Sequence, residues 1–206
     1  MDDKELLVVF YSRAGQNYKS GEIINLRVGN TEVVATKIAS ELGADIFKIE
    51  PVRDYPSDYM KCSERARREL DENARPLYKG DVDISSYTKI ILGYPIWWGT
   101  LPMTVWTFLE NHDFSGKTII PFSTHEGSDL ENSIKVIKKL CPKAEIKTVV
   151  PIIGSKVDDC DAEIEQISWI QADNATSFKS KFVNCLNFCK GVIYPNLFLG
   201  LEFKMF

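Results

Sequence analysis

The sequence lacks the features that mark several classes of protein. No apolar run is long enough to span a membrane, which excludes a transmembrane helix. The net charge is −4, so the chain has no basic footprint for nucleic acid. Its charged first residues, 1–5, lead directly into an apolar stretch, unlike a signal peptide. These absences predict a soluble protein with no nucleic acid or membrane partner.

Several catalytic and nucleotide-binding motifs are also absent. There is no GxxxxGK[ST] P-loop and no GxGxxG fingerprint, which argues against a classical nicotinamide-binding Rossmann site. The chain has only two histidines, and no Ser-His-Asp triad, metal-ligand set or carboxylate pair stands out. The five cysteines are odd in number and show no CxxC spacing, so we expect a reduced, cytoplasmic setting.

What the sequence does contain is an alternation of strand and helix patterns. Strands that alternate with helices imply parallel βαβ units with right-handed crossovers. We therefore predict an α/β fold, a three-layer sandwich in which a five-stranded parallel sheet of order 2-1-3-4-5 carries helices on both faces. The predicted strands span 5–11, 45–50, 87–92, 117–122 and 145–153, and the predicted helices span 29–42, 59–73, 103–111, 129–140 and 159–170.

The central stretch 93–102, GYPIWWGTLP, joins the third predicted strand to the third helix, with Pro102 at a good first helical position. Ligands bind at the carboxyl ends of strands in open α/β sheets, and this connection lies at such an end. Glycine and proline, which shape backbone rather than fill a core, frame Trp97 and Trp98 here. Ordinary core packing is the alternative, but the setting favours a surface for a flat aromatic ligand.

Two further polar loops are expected beside this connection, because strands one, three and four are neighbours in the predicted order. The loop after strand one, 12–17, and the start of the next helix offer hydroxyls and close backbone groups, which suit a phosphate. Thr31 also fits a plain helix N-cap. Before that helix, residues 23–28 fit a short extra strand or hairpin. The residues that offer these phosphate-binding groups are Ser12, Ala14, Gly15, Asn17, Asn30 and Thr31.

The third polar loop, 123–128, follows strand four and contains His125. A lone histidine in a surface loop usually has no special role, which is the alternative interpretation. Its position between Ser123-Thr124 and Glu126-Gly127, in a loop expected to meet the other two, favours contact with a ligand. The other histidine, His112, is expected to be structural.

Together these stretches resemble the flavodoxin-like proteins, which carry YSR near the start, GYPIWWG in the middle and PFSTHEGS later. The resemblance covers roughly residues 4–170. In the family's phosphate loop, two hydroxyl residues are separated by one residue and are followed directly by Gly-Asn-Thr. Here 12–15 resembles the first part, 29–31 resembles the second, and 16–28 resembles an insertion between them. Ala14 stands where a hydroxyl residue is more common.

The resemblance implies a bound FMN and redox chemistry. By position, the phosphate would be held by Ser12, Arg13, Ala14, Asn30 and Thr31, with Asn17 also among the cofactor-binding residues. One side of the isoalloxazine ring would be contacted by Pro95, Ile96, Trp97, Trp98 and Gly99. The ring or its ribityl chain would be approached by Thr124, His125, Gly127 and Ser128.

Two functions stay open at this point. One is an electron carrier that hands single electrons to a redox partner protein. The other is an NAD(P)H-dependent quinone or flavin reductase that passes two electrons to a small quinone-like acceptor, with His125 as the candidate catalytic acid. Classical carriers are acidic around the flavin, whereas Thr100 stands here where an acid is frequent, and the insertion would wall a substrate pocket. A non-redox FMN-binding role is a third alternative, and we expect a monomer or homodimer.

The domain organisation follows from the same resemblance. Residues 1–170 form the predicted FMN-binding domain, with 16–28 inserted in the phosphate loop, and 171–206 form an atypical C-terminal extension. Within the extension, 179–189 fits an amphipathic helix with Cys185 and Cys189 four residues apart. These are more simply buried thiols than a metal or redox site.

Overall fold

The structure is a computed structural model that describes residues 5–128 and 131–172. The predicted helix at 179–189, with its two cysteines, lies outside the described residues, as does all of the predicted extension after residue 172.

Strands and helices alternate along the chain as predicted. The strands are β1 (Leu6–Phe10), β2 (Gly15–Lys19), β3 (Glu22–Leu26), β4 (Asp45–Lys48), β5 (Glu50–Pro51), β6 (Tyr78–Lys79), β7 (Lys89–Pro95), β8 (Thr118–His125), β9 (Glu145–Ile146) and β10 (Val150–Ile153). The helices are α1 (Asn30–Leu42), α2 (Tyr59–Asp71), α3 (Met103–Asn111), α4 (Glu131–Leu140) and α5 (Asp161–Gln171), and a 3₁₀ helix, Gly154–Asp159, precedes α5.

The main sheet has the order β10-β8-β7-β1-β4, and its neighbours pair in parallel. This confirms the predicted order 2-1-3-4-5. Alternate residues of β1 enter separate cores, because successive side chains of a strand point to opposite faces. Leu7 and Val9 belong to the core under α2, α3 and α4, whereas Val8 and Phe10 belong to the core under α1 and α5. The sheet is therefore covered on both faces, as its continuous apolar strands require.

The helix ends are set by short local contacts. At the start of α1, Gly29 has no capping side chain, and the Ser12 hydroxyl accepts a hydrogen bond from the Glu32 amide at 3.1 Å instead. Gly43 ends this helix in the left-handed conformation that glycine often adopts after the last helical residue, and the helix ends at Leu42 as predicted. Pro102 is the N-cap residue of α3 rather than its first helical residue, so that part of the prediction is wrong by one position.

Several strand boundaries differ from the prediction. The strands β7 and β8 extend to Pro95 and His125, so the polar residues Ser123 and Thr124 lie inside the sheet rather than in a loop. Their backbone is paired with β7 on one side and with β10 on the other, so their main-chain polar groups are satisfied within the sheet. The predicted strands 45–50 and 145–153 are each divided in two, and β6, which lies between the predicted helix 59–73 and the predicted strand 87–92, pairs with β5.

The segment predicted to contain a short strand or hairpin is an antiparallel hairpin of β2 and β3. The prediction of a loop over 12–17 is wrong from Gly15 onward, because β2 begins there. The hairpin is fixed at its base, where the Gln16 amide donates to the Ser57 carbonyl at 2.8 Å. At its tip, the Ser20 amide donates to Glu126 Oε2 at 3.3 Å. The hairpin therefore bridges the start of α2 and the loop that follows β8.

Candidate functional site

A cavity of about 320 Å³ lies at the carboxyl ends of β1, β7 and β8. It brings together residues from all three polar stretches that the sequence singles out, as their order in the sheet requires. The predicted site residues that line it are Ser12, Arg13, Asn17, Asn30, Thr31, Pro95, Ile96, Trp97, Thr124, His125 and Ser128.

The start of α1 forms one end of this cavity. The first backbone N–H groups of a helix have no acceptor within the helix, and they carry a partial positive charge. Ser12 Oγ uses one lone pair to accept from the Glu32 amide, which leaves its proton available to donate. Thr31 and Thr124 share a hydrogen bond of 2.7 Å between their hydroxyls, so one of the two protons remains to be donated. This end of the cavity is rich in donors that suit an oxyanion.

Arg13 lies between the hairpin and the chain before α2. Its Nη1 donates to the carbonyls of Pro56 and Ser57, at 2.8 and 3.1 Å, and its Nη2 donates to the Gln16 carbonyl. The terminal nitrogens of the guanidinium thus hold backbone in place. Its Nε is buried and has no partner among the described residues, so this N–H remains available to a bound anion.

Glu126 is a cavity residue that the sequence analysis did not select. Its Oε2 accepts from the Ser20 amide at the hairpin tip, whereas its Oε1 is buried without a partner among the described residues. An unsatisfied buried acceptor is costly, on the order of 1–3 kcal/mol. The Oε1 atom is therefore placed to accept a hydrogen bond from a hydroxyl of a bound molecule.

His125 ends β8 at the edge of the same cavity. Its Nδ1 accepts a hydrogen bond from the Gly127 amide at 3.0 Å, so the remaining proton of the neutral ring is on Nε2. Partial burial lowers the pKa of His125, and the nearby Glu126 carboxylate opposes this change. The geometry favours a neutral ring that donates from Nε2.

A second cavity, of about 330 Å³, adjoins the first between α2 and the connection after β7. Trp98 and Gly99 line it, and Trp97 lines both cavities. The residues 97–100 form a tight turn in which the Trp97 and Thr100 backbones exchange two hydrogen bonds, at 2.9 and 3.1 Å. Trp98 and Gly99 have φ values of 52° and 75°, as in a type I′ turn.

Buried aromatic rings hold Trp97 in place. Its ring centroid is 5.0 Å from that of Tyr55 and 5.4 Å from that of Tyr11, both in edge-to-face arrangements. The Tyr55 hydroxyl donates to Glu69, which also pairs with Arg65 at 2.8 Å. Burial, together with the hydrogen bond to Glu69, raises the pKa of Tyr55. The phenol therefore stays neutral, and the packed aromatic cluster fixes the position of the Trp97 ring.

Two predicted site residues, Ala14 and Gly127, line neither cavity, and Ala14 is exposed. Some lining residues, among them residues of the hairpin and of α2, are not predicted from the sequence, because no short motif identifies them. They are Tyr18, Tyr59, Cys62, Ser63, Ala66, Glu126 and Gly154.

Among the described residues, there is no cluster of three or more side chains suited to a metal ion, and no helix is long and apolar enough to cross a membrane.

Comparison with protein families gives one match, to a family described as flavodoxin, over residues 24–170. The search of curated proteins gives no match. Among solved structures, a flavoprotein from Bacteroides eggerthii DSM 20697 is 29% identical, with 77% of this chain and 96% of that chain covered and a TM-score of 0.60.

Two further solved structures have the same fold. A flavoprotein from Bacteroides uniformis ATCC 8492 is 23% identical, covering 81% of this chain and 99% of that chain, with a TM-score of 0.64. A flavoprotein from Lactobacillus acidophilus NCFM, solved in complex with FMN, is 22% identical, covering 75% of this chain and 97% of that chain, with a TM-score of 0.56.

Proposed function

This chain belongs to the flavodoxin family, and from that premise we propose that it is a redox flavoprotein that transfers electrons through one non-covalently bound FMN. Bound FMN supplies reversible uptake of one or two electrons. The chain's residues bind this group, orient it and limit its exposure to water.

The observation that carries the proposal is the set of donors at the start of α1. A phosphate is stabilised by a helix N-terminus, by hydroxyls and by charged N–H groups. Here the first turn of α1, the Ser12 and Thr31 hydroxyls and the unpartnered Arg13 Nε occur at one end of one cavity. The unpartnered Glu126 Oε1 suits a hydroxyl of the ribityl chain.

The second cavity suits the ring. An indole wall at Trp97 and Trp98 offers apolar burial at about 25 cal/mol per Å² and favours a flat aromatic partner. The His125 Nε2–H is a neutral donor near the junction with the first cavity, available to an acceptor atom of the ring or ribityl chain. Neither Trp97 nor His125 brings a negative charge, so the acidic surroundings of classical carriers are not reproduced by these two residues.

A second candidate is a reductase that passes electrons to a small acceptor. The observation that favours it is the hairpin, which is bonded to Ser57 at its base and to Glu126 at its tip. A covered cavity admits small molecules more readily than the surface of a partner protein. Under this alternative, NAD(P)H is the electron donor.

The proposal is tested by release of the cofactor. Denaturation of the purified protein should give a yellow supernatant that contains one FMN per chain by mass and absorbance. A colourless protein that also fails to bind added FMN at micromolar concentration would contradict the proposal.

Anaerobic reduction separates carrier from reductase. Purified protein is mixed in turn with NADH, NADPH and dithionite while the flavin absorbance is recorded. Reduction by dithionite alone, in two separate one-electron steps, indicates a carrier. Rapid bleaching by NADH or NADPH, with turnover when a quinone is added, indicates the reductase.

A further inference from the structure

The hairpin of β2 and β3 is held firmly at its base. The Gln16 amide donates to the Ser57 carbonyl at 2.8 Å, and the Gln16 side chain accepts from the Tyr59 amide at 3.0 Å. The Arg13 guanidinium donates to the carbonyls of both Gln16 and Ser57. Gly15 lies so close to the same segment that a Cβ on it would be 2.9 Å from the Ser57 carbonyl oxygen. The base is therefore fixed to the chain before α2.

The tip of the hairpin, residues 20–21, is held much less firmly. Among the described residues, one hydrogen bond joins it to the rest of the domain, from the Ser20 amide to Glu126 Oε2 at 3.3 Å. This bond is longer than most N–H···O bonds and is exposed, so water competes for both partners. No residue of β2 or β3 is buried or belongs to either core. A two-stranded hairpin without such packing is marginally stable in water, so the position of the tip depends on Glu126.

The hairpin also forms part of the wall of the first cavity. Asn17 and Tyr18 of β2 line this cavity, and so does Glu126, to which the tip is bonded. The same cavity contains the Ser12 and Thr31 hydroxyls. Movement of the tip away from Glu126, with the base fixed, would therefore widen the cavity beside the start of α1.

Glu126 connects the tip to the interior of the cavity. Its Oε2 accepts from the Ser20 amide, whereas its Oε1 is buried and has no partner among the described residues. A Cβ built on Gly154 would lie 2.9 Å from Oε1 and 2.5 Å from Asn30 Nδ2, so this oxygen lies beside two other cavity residues. A ligand hydroxyl that donates to Oε1 would fix the carboxylate, and the same carboxylate fixes the tip. Ligand binding and the position of the hairpin are thereby coupled.

We propose that the hairpin is a lid over the cofactor site, and that the bond from Ser20 to Glu126 holds it closed. The lid turns about its base near Ser57, and its tip leaves Glu126 when a ligand enters or leaves the cavity. A ligand hydroxyl bonded to Oε1 orients the carboxylate for Ser20 and so stabilises the closed position. Opening of the lid is a property of the chain alone, whereas its control of FMN exchange rests on the proposed function.

Amide hydrogen exchange of the purified full chain, read residue by residue by NMR, tests the lid without any added ligand. Glu126→Ala removes the acceptor and should speed exchange at Ser20 by about threefold or more. Glu126→Gln keeps an oxygen that accepts from this amide and should restore the slow exchange. The matched control Glu22→Ala removes an exposed carboxylate from the hairpin itself and should leave exchange at Ser20 unchanged. Equal exchange at Ser20 in Glu126→Ala and in the native chain would overturn the proposal.

Stopped-flow binding to chain depleted of FMN, followed by flavin fluorescence, tests whether the lid controls access. Riboflavin is the first probe because it is neutral, so the loss of the Glu126 charge does not itself change its rate of encounter. Glu126→Ala should raise its association rate and its dissociation rate by about threefold or more each, since opening exposes the same path in both directions. FMN should show the same pattern, and Glu126→Gln should return the association rates toward the native values.

Two kinetic results would overturn the proposal. A residue that only contacts the bound ligand would change the dissociation rate and leave the association rate as in the native chain. Equal acceleration of association by Glu126→Ala and Glu126→Gln would mean that the lost charge, rather than the open lid, is the cause. A chain that binds neither flavin, but in which Glu126→Ala speeds exchange at Ser20, would contradict the proposed function and still support the lid.

Discussion

The proposed cofactor site has two contrasting sides, a phosphate side at the start of α1 and an aromatic side at Trp97 and Trp98, and a tight turn with positive φ values lies near each. The first turn is the tip of the hairpin, where Ser20 and Gly21 have φ values of 51° and 95°. On the aromatic side, Trp98 and Gly99 have φ values of 52° and 75°. The first turn carries a small polar side chain at an exposed tip, whereas the second carries an indole that lines the second cavity. Similar turns therefore have different roles: one closes the hairpin, and the other places the Trp98 ring at the second cavity.

The largest effect is expected from Gly29→Ala, which would break the phosphate side alone. A Cβ at this position would overlap Ser12 Oγ and lie 2.5 Å from the Arg13 carbonyl oxygen, which is backbone and cannot rotate away. We expect a loss of about 3 kcal/mol in unfolding free energy and no measurable FMN binding. Thermal melting and FMN titration provide the measurement. Native-like affinity for FMN in a folded variant would show that Gly29 and Ser12 do not shape the phosphate site.

The next largest effect is a change in the affinity for FMN relative to riboflavin, which lacks the phosphate. The double variant Ser12→Ala/Thr31→Ala removes two hydroxyls from the phosphate side, and each hydrogen bond to a charged group contributes about 1.5–3 kcal/mol. The ratio of FMN affinity to riboflavin affinity should therefore fall by about a hundredfold or more. Ser12→Ala should also cost about 1 kcal/mol of unfolding free energy, because its hydroxyl caps α1. An unchanged ratio would mean that the phosphate binds elsewhere.

A smaller effect compares the two turns directly. Gly99→Ala and Gly21→Ala both place a Cβ at positive φ, at a cost of about 1–2 kcal/mol each, and neither Cβ meets an atom closer than 3.9 Å among the described residues. The two variants should lose similar unfolding free energy. Only Gly99→Ala should alter the separation between the two one-electron reduction potentials, because only that turn borders the ring cavity. If the separation between the two potentials is the same in both variants as in the native chain, Gly99 has no role beyond turning the chain.

The smallest effect concerns the pH dependence of His125. Burial lowers the pKa of this ring in the folded chain, so the unfolded chain binds the proton more readily. The contribution to stability is present above the ordinary histidine pKa of about 6.5 and is lost as the pH falls through the folded-state value. Unfolding free energies of the native chain and His125→Gln, measured between pH 5 and pH 8, should therefore converge at low pH. A difference that does not vary with pH would contradict this.

The sequence predicts the sheet order and the bounds of α1 and α3 well, because apolar periodicity and end signals such as Gly43 act locally. It predicts β2 poorly, since Gln16, Asn17 and Tyr18 show no alternation of apolar residues. That strand exists because of its pairing with β3 and its anchor at Ser57.

Residues of the candidate site are likewise predictable where they belong to a local pattern. Residues in contiguous motifs, such as Trp97 and Thr124, line the predicted cavity. Residues that α2 brings to the second cavity, such as Cys62 and Ala66, come from a helix whose exposed face is strongly charged and carries no ligand motif. Their positions depend on packing between distant elements, which no local pattern encodes.

Among the described residues, the main sheet ends in β4 on one side and in β10, together with the two-residue β9, on the other, which affects how the chain behaves at high concentration. An open sheet edge is a template on which another chain can add a strand and start an aggregate. At one edge, β4 is only four residues long and carries charged Asp45 and Lys48 at its ends. At the other, β10 is equally short and includes Pro151, which has no N–H to offer a foreign strand. Both edges of this sheet are therefore poor starting points for edge-to-edge growth.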